Sequence, residues 1–148
     1  KRAYNVFFRE DNPSWLYSVN HGATTMWEHW NGIKEDGSFW SKSMNSFNHY
    51  AYGAVGAWMY EIIAGIQMPE DSAGFEKIVR APTPDERLGF VKCSIKSVKG
   101  KIKSEWKYTK KGIKFAFTVP NGISAEIKLP NGFTTTVTGG KHEFFVEM

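Results

Sequence analysis

The twenty residues from Asn45 to Ala64 set the hardest condition on what this chain can fold into. Phe47, Ala51, Ala54, Val55, Trp58 and Ile62 recur at helical spacing and form one stripe. The opposite face carries Gly53, Gly56, Tyr60 and Ala64, and the ionisable groups of the segment are His49 and Glu61. A helix that is apolar all round has to be covered on every side. Two helices and a loop cannot do that. The segment is therefore expected to belong to a larger helical assembly, most of it upstream of Lys1. The first residue is not Met and no apolar leader follows it, which reads as a processed or truncated product. A membrane span is not expected: the apolar run from Ala51 to Tyr60 stops at Glu61, well short of the ~20 residues that crossing a bilayer requires.

Downstream, the pattern changes period. Val91, Cys93 and Ile95 alternate with polar residues, as do Ile102, Ser104, Trp106 and Tyr108. The same holds for Ile113, Phe115, Phe117 and Val119, and for Ile123, Ala125, Ile127 and Leu129. Lys99-Gly100, Lys111-Gly112, Asn121-Gly122 and Asn131-Gly132 supply turns between them. Short strands with one wet face predict an antiparallel β-sandwich of six to eight strands. Charge divides along the same line. Residues 1–75 hold five basic and eight acidic side chains, and residues 76–148 hold fourteen and seven, so the net +4 belongs to the second part. The Pro, acids and Gly of Gln67–Gly74 mark the boundary, giving a helical part over 1–70 and a β part over 71–148. In the first part Asn12-Pro13-Ser14 reads as a helix start with Asn12 as cap, and Gly22 as the stop after WLYSVNH.

The densest chemical constellation is His21-Gly22-Ala23-Thr24-Thr25-Met26-Trp27-Glu28-His29-Trp30. A carboxylate between two indoles suits sugar chemistry, because aromatic faces cover the C–H face of a pyranose and partial desolvation makes the carboxylate a better base. The residues alone favour the plainer reading, Glu28 as a surface acid beside core tryptophans. His21, Glu28 and His29 match no zinc spacing, HEXXH is absent, and neither a metal site nor a cofactor is expected. No GxSxG elbow and no phosphate loop occurs. Cys93, the single cysteine, lies in a strand pattern and reads as a small packed hydrophobe. His49 is either a satisfied core histidine or, with Asn48, part of a pocket mouth that bonds ligand hydroxyls. The nine lysines from Lys92 to Lys114 could bind nucleic acid, but in alternating strands they fall on the solvent face while Phe115 and Phe117 turn inward, so no nucleic-acid partner is expected.

PSWLYSVNHGATTMWEHWNG, DGSF and MNSFNHYAYGAVGAWMYEIIAGI together resemble the C-terminal end of bacterial α-L-rhamnosidases, glycoside hydrolase family 78. The likeness spans roughly residues 10–85, and IVRAPTP and the strand with SEWKY carry the family's look into the tail. It implies an α+β fragment: the last helices of an (α/α)6 barrel, then an antiparallel β-sandwich. It implies an inverting hydrolase that removes terminal α-L-rhamnose from glycosides or polysaccharides. Glu28, in the family's Trp-Glu-Arg/His-Trp motif, would be the general base, and His49 would contact the sugar. Trp27, Trp30 and Asn48 would shape the pocket. His29 stands where the family often has Arg, and the family's general acid lies in an upstream acidic motif outside this chain. The resemblance thus predicts a partner in the upstream barrel segment, no hydrolysis by the 148 residues alone, and a secreted or periplasmic parent, with the cytoplasm as the alternative. A non-catalytic carbohydrate-binding or scaffolding module is the competing reading.

Overall fold

The computed structural model describes all residues, 1–148, and the chain divides into two compact units, Lys1–Gly56 and Ala57–Met148. In the first unit two short helices, α1 (Arg2–Phe7) and α2 (Trp15–Asn20), precede a long irregular segment. Ser14, not Asn12, caps α2: its Oγ accepts the Tyr17 N–H at 2.9 Å. Gly22, with φ +84°, follows the last turn in the left-handed conformation that a glycine adopts without a Cβ clash. Two buried side chains of α2 hold the next loop. Tyr17 Oη donates to the Ile33 carbonyl (3.1 Å) and Ser18 Oγ to the Trp30 carbonyl (2.9 Å).

The helix expected over 45–64 starts later and changes gauge along its length. Residues 45–50 are not helical. Ala51–Ala54 forms a tight 3-10 turn, α3 (Val55–Trp58) a single α turn, and Met59–Ile63 a wide π turn closed by Ala64 N–H on the Met59 carbonyl (2.9 Å). The physical reason lies in Asn45 to His49. Asn45 Nδ2 donates to the Ser41 carbonyl, and Ser46, Phe47 and His49 spend their main-chain groups on residues 25–28, so these groups are lost to helix formation. Nor does the chain enclose this segment on all sides: Met59 and Tyr60 are 43% and 45% exposed.

The second unit is a six-stranded sheet, mixed and curled. Its strands are β1 (Ile66–Gln67), β2 (Lys77–Arg80), β3 (Phe90–Ser97), β4 (Gly100–Thr109), β5 (Gly112–Lys128) and β6 (Thr134–Glu147). The order is β1-β2-β5-β4-β3, with β6 on the other edge of β5. All pairings are antiparallel except β2 with β5, which run parallel. The α+β architecture and the strand count agree with the sequence reading. Asn121-Gly122 differs from it: β5 does not turn back there but runs on, with an irregular register between Val119 and Ser124. Such an irregularity bends a strand and re-aims its ends, which lets one 17-residue strand serve β4 and β6 at one end and β2 and β6 at the other.

The inward register is the one the alternation gives. Ile102, Ser104 and Trp106 from β4, and Ile113, Phe115, Phe117, Val119, Ala125 and Ile127 from β5, are buried. Two polar side chains of this core reach the end of the π turn. Trp106 Nε1 donates to the Ile63 carbonyl at 2.8 Å and Ser104 Oγ donates to the Ala64 carbonyl. They satisfy carbonyls that a helix end leaves open. Gly65 follows with φ +67°, and a Cβ there would lie 2.1 Å from Pro82 N, so no other residue fits.

Candidate functional site

Four segments of the first unit build the site. The Gly22–Trp30 stretch has no regular structure of its own, and its shape comes from a clasp with residues 46–49. Glu28 N–H donates to the Ser46 carbonyl (2.9 Å), His49 N–H donates to the Met26 carbonyl (2.8 Å), and Thr25 Oγ1 donates to the Phe47 carbonyl. The two stretches pass each other antiparallel. Inside the clasp, Trp27 is buried and meets Phe47 edge-on, with ring centroids 5.2 Å apart at 85°. Gly32 makes room for that pair: a Cβ there would sit 3.0 Å from the Phe47 ring and 3.3 Å from Trp27.

Glu28 is half-buried, with its backbone N–H held by the Ser46 carbonyl. His49 is half-buried on the facing stretch. Its Nδ1 accepts the Ala51 N–H at 3.4 Å, and its ring lies parallel to Tyr50 at 5.6 Å. An accepting Nδ1 selects the tautomer that carries its proton on Nε2. Asn48 is exposed. Of the other histidines, His21 Nδ1 is bonded to the Tyr17 carbonyl at 2.8 Å and the ring stacks on Tyr17, a structural role. His29 stacks on Trp40 at 3.7 Å, and its Nε2 is buried with no hydrogen-bond partner.

The indoles divide between core and cavity. Trp30 stacks on Tyr52 at 3.7 Å and meets Trp15 edge-on at 5.1 Å, while Trp15 Nε1 donates to the Tyr52 carbonyl at 3.0 Å. These rings, with Trp27, Met26 and Thr25, line a cavity of about 330 Å³. Glu28, Asn48 and His49 do not line it. The structure thus brings Glu28, Asn48 and His49 onto one pair of clasped loops and puts Trp27 and Trp30 in aromatic contacts of their own. No group of three or more His, Cys, Asp or Glu side chains converges as a metal site.

The sequence reading missed Arg80. It is fully buried in the second unit, where its Nη2 donates to the Lys103 carbonyl at 2.7 Å and its guanidinium lies 5.0 Å from the Phe117 ring centroid. Its Nε and Nη1 have no partner. Burial pulls it down to about 10. Cys93, half-buried nearby, has its thiol pushed up by burial, against the pull of the Arg80 charge. The alternation around Lys77–Arg80 was the available signal: Arg80 stands in register with Ile78, an inward position.

The first unit thus offers a half-buried carboxylate and imidazole beside a separate aromatic cavity, and the second unit is a β-rich domain. Residues 1–63 match the family model of the bacterial alpha-L-rhamnosidase 6 hairpin glycosidase domain, and residues 65–144 that of the bacterial alpha-L-rhamnosidase C-terminal domain. The chain belongs to the bacterial alpha-L-rhamnosidase family. It is 41% identical over 143 residues to an alpha-L-rhamnosidase of Alteromonas sp. (strain LOR), a match covering 95% of this chain and 15% of that protein. An alpha-L-rhamnosidase of Streptomyces avermitilis is 39% identical over 128 residues, 86% of this chain and 12% of that one. Among solved structures, Streptomyces avermitilis alpha-L-rhamnosidase complexed with L-rhamnose superposes with a TM-score of 0.90 at 34% identity, covering 98% of this chain and 16% of that one. The alpha-L-rhamnosidase from Aspergillus terreus gives 0.90 at 31%, covering 97% and 17%. The chain thus spans about 15% of the length of the curated relatives it matches.

Proposed function

We propose that the chain is the part of an inverting α-L-rhamnosidase that supplies the general base, residues 1–70 completing the catalytic barrel and residues 71–148 forming the β-rich domain that follows it in sequence. Inversion needs an acid at the leaving oxygen and, across the sugar ring, a base that activates a water. Glu28 takes the second role. It is half-buried and fixed at its backbone by Ser46, and the clasp sets it on the same pair of loops as His49. In the proposed step Glu28 takes a proton from water as the oxygen attacks the anomeric carbon, and the glycosidic oxygen leaves with a proton from the acid of the upstream barrel segment. His49 and Asn48 hydrogen-bond sugar hydroxyls, and Trp27 and Trp30, lining the neighbouring cavity, support the loops that carry them.

The observation that carries this reading is the clasp: the two motifs that resemble the family's site are bonded to each other through their main chains. The relative solved with L-rhamnose supports the substrate. With its acid elsewhere, the 148-residue chain alone releases no rhamnose. The test is Glu28→Gln in the full-length parent, assayed on an aryl α-L-rhamnoside. The expected result is a kcat loss of about three or more orders of magnitude with folding intact, since base and acid contributions run to ~10²–10⁴ each. A variant that keeps most of its turnover refutes the role.

A further inference from the structure

The outer face of the four-strand region β3-β4-β5-β6 carries a pattern of side chains that hydrolysis leaves unexplained. The register puts Phe90, Lys107, Lys114 and Phe145 in one row across four strands. All four are exposed, with Phe90 and Phe145 at 57% and 44%. At ~4.8 Å per strand the two phenyl rings stand about 14 Å apart, with the two ammonium groups between them. The next outward row is Lys92, Glu105, Ala116 and Glu143. The two rows line a groove of about 710 Å³. Along the whole of this face the registers place seven lysines against three glutamates.

Charged strand faces keep sheets apart, but that needs neither a groove nor large apolar rings at both ends of a cationic row. Exposed rings offer flat faces for the C–H side of sugar rings. The lysines between them offer fixed positive charge, and the small Ala116 side chain leaves the floor of the second row open. Glu105 and Glu143 discriminate between polyanions. A nucleic acid brings a phosphate at every step and is repelled by carboxylates set in the track. A polyhydroxylated chain with spaced carboxylates brings hydroxyl groups that those same carboxylates accept. We propose that this groove binds an acidic, uronate-bearing polysaccharide, with Phe90 and Phe145 as stacking platforms and Lys107 and Lys114 pairing the uronate. The proposal goes beyond the hydrolase reading and does not rest on it, since none of these residues belongs to the Glu28 site.

The test is affinity electrophoresis of the 148-residue chain in gels containing polygalacturonate, neutral dextran or single-stranded oligothymidylate, at low and physiological salt. Polygalacturonate should retard the chain, dextran should not, and oligothymidylate should retard it less than polygalacturonate at equal charge concentration. Phe90→Ala with Phe145→Ala, and separately Lys107→Gln with Lys114→Gln, should each weaken retardation at least tenfold, with circular dichroism unchanged. Absence of retardation in polygalacturonate overturns the proposal. So does retardation that survives the double phenylalanine change, which would be charge alone, or stronger binding of oligothymidylate, which would mark a nucleic-acid surface. Glu28→Gln should lose turnover in the full-length parent and leave polygalacturonate retardation of the 148-residue chain unchanged, which separates the two readings.

Discussion

Replacing Arg80 with methionine should cost little stability, and replacing it with alanine should cost much. Arg80 is fully buried, and burial brings its guanidinium well below its ordinary value, down to about 10. At ~1.4 kcal/mol per pH unit of displacement, holding the charge inside costs about 3 kcal/mol. The folded value lies below the unfolded one, so this cost is present at neutral pH and is relieved only as pH rises past about 10. Against it stand the bond to the Lys103 carbonyl, a charge-assisted contact of ~1.5–3 kcal/mol, and the Phe117 face, ~0.5–2 kcal/mol. Methionine keeps most of the stem's volume, loses both attractions and removes the cost. The terms nearly cancel, and Arg80→Met should fall within about 2 kcal/mol of the parent. Arg80→Ala also leaves a cavity, which adds ~2–5 kcal/mol. Urea denaturation of the two variants, with unchanged slope, reads the difference. If methionine proves as costly as alanine, the guanidinium is stabilised by its charge and the reasoning fails.

Other consequences are as direct. Gly65→Ala should destabilise by ~2–5 kcal/mol, combining the left-handed backbone with a Cβ driven into Pro82, as melting of the variant would show. Trp106→Phe strands the Ile63 carbonyl, a loss of ~1–3 kcal/mol, and also shrinks a fully buried ring, so the total by the same measurement should exceed that range's lower half by a cavity cost. Arg87 holds the Asp85 carboxyl below the usual carboxylate range. That pair therefore stabilises above the ordinary carboxylate pKa and is lost as pH falls through the lowered one. Asp85→Asn should flatten this part of an acid titration followed by circular dichroism.

The β half was legible because one face is dry and one is wet. Period two in Ile102 to Tyr108 and Ile113 to Val119 left no other register, and the buried set follows it from Ile102 to Trp106 and from Ile113 to Val119, with Tyr108 half-buried at the strand end. The parallel pairing of β2 was not legible, because nothing in the four residues Lys77–Arg80 distinguishes the two directions. The bend at Asn121-Gly122 misled because the same dipeptide serves a hairpin or an irregular strand equally well. In the first half the site residues were visible as chemistry, but their arrangement was not. Apolar spacing extends back to Phe47, while the main chain there is claimed by residues 25–28, a long-range competition that periodicity does not register. Ser14 won the cap over Asn12 by one detail, its Oγ standing three residues before the Tyr17 N–H.

The anchoring of Ile63 and Ala64 by Trp106 and Ser104 also bears on where the chain can be divided. Sequence kinship changes between residues 63 and 65, yet compactness changes at residues 56 and 57. A β domain excised at residue 65 would begin with an indole N–H and a hydroxyl facing solvent where two carbonyls had closed them off. One excised at residue 57 would carry its own stopper, and should be the more soluble and the more cooperative of the two on melting.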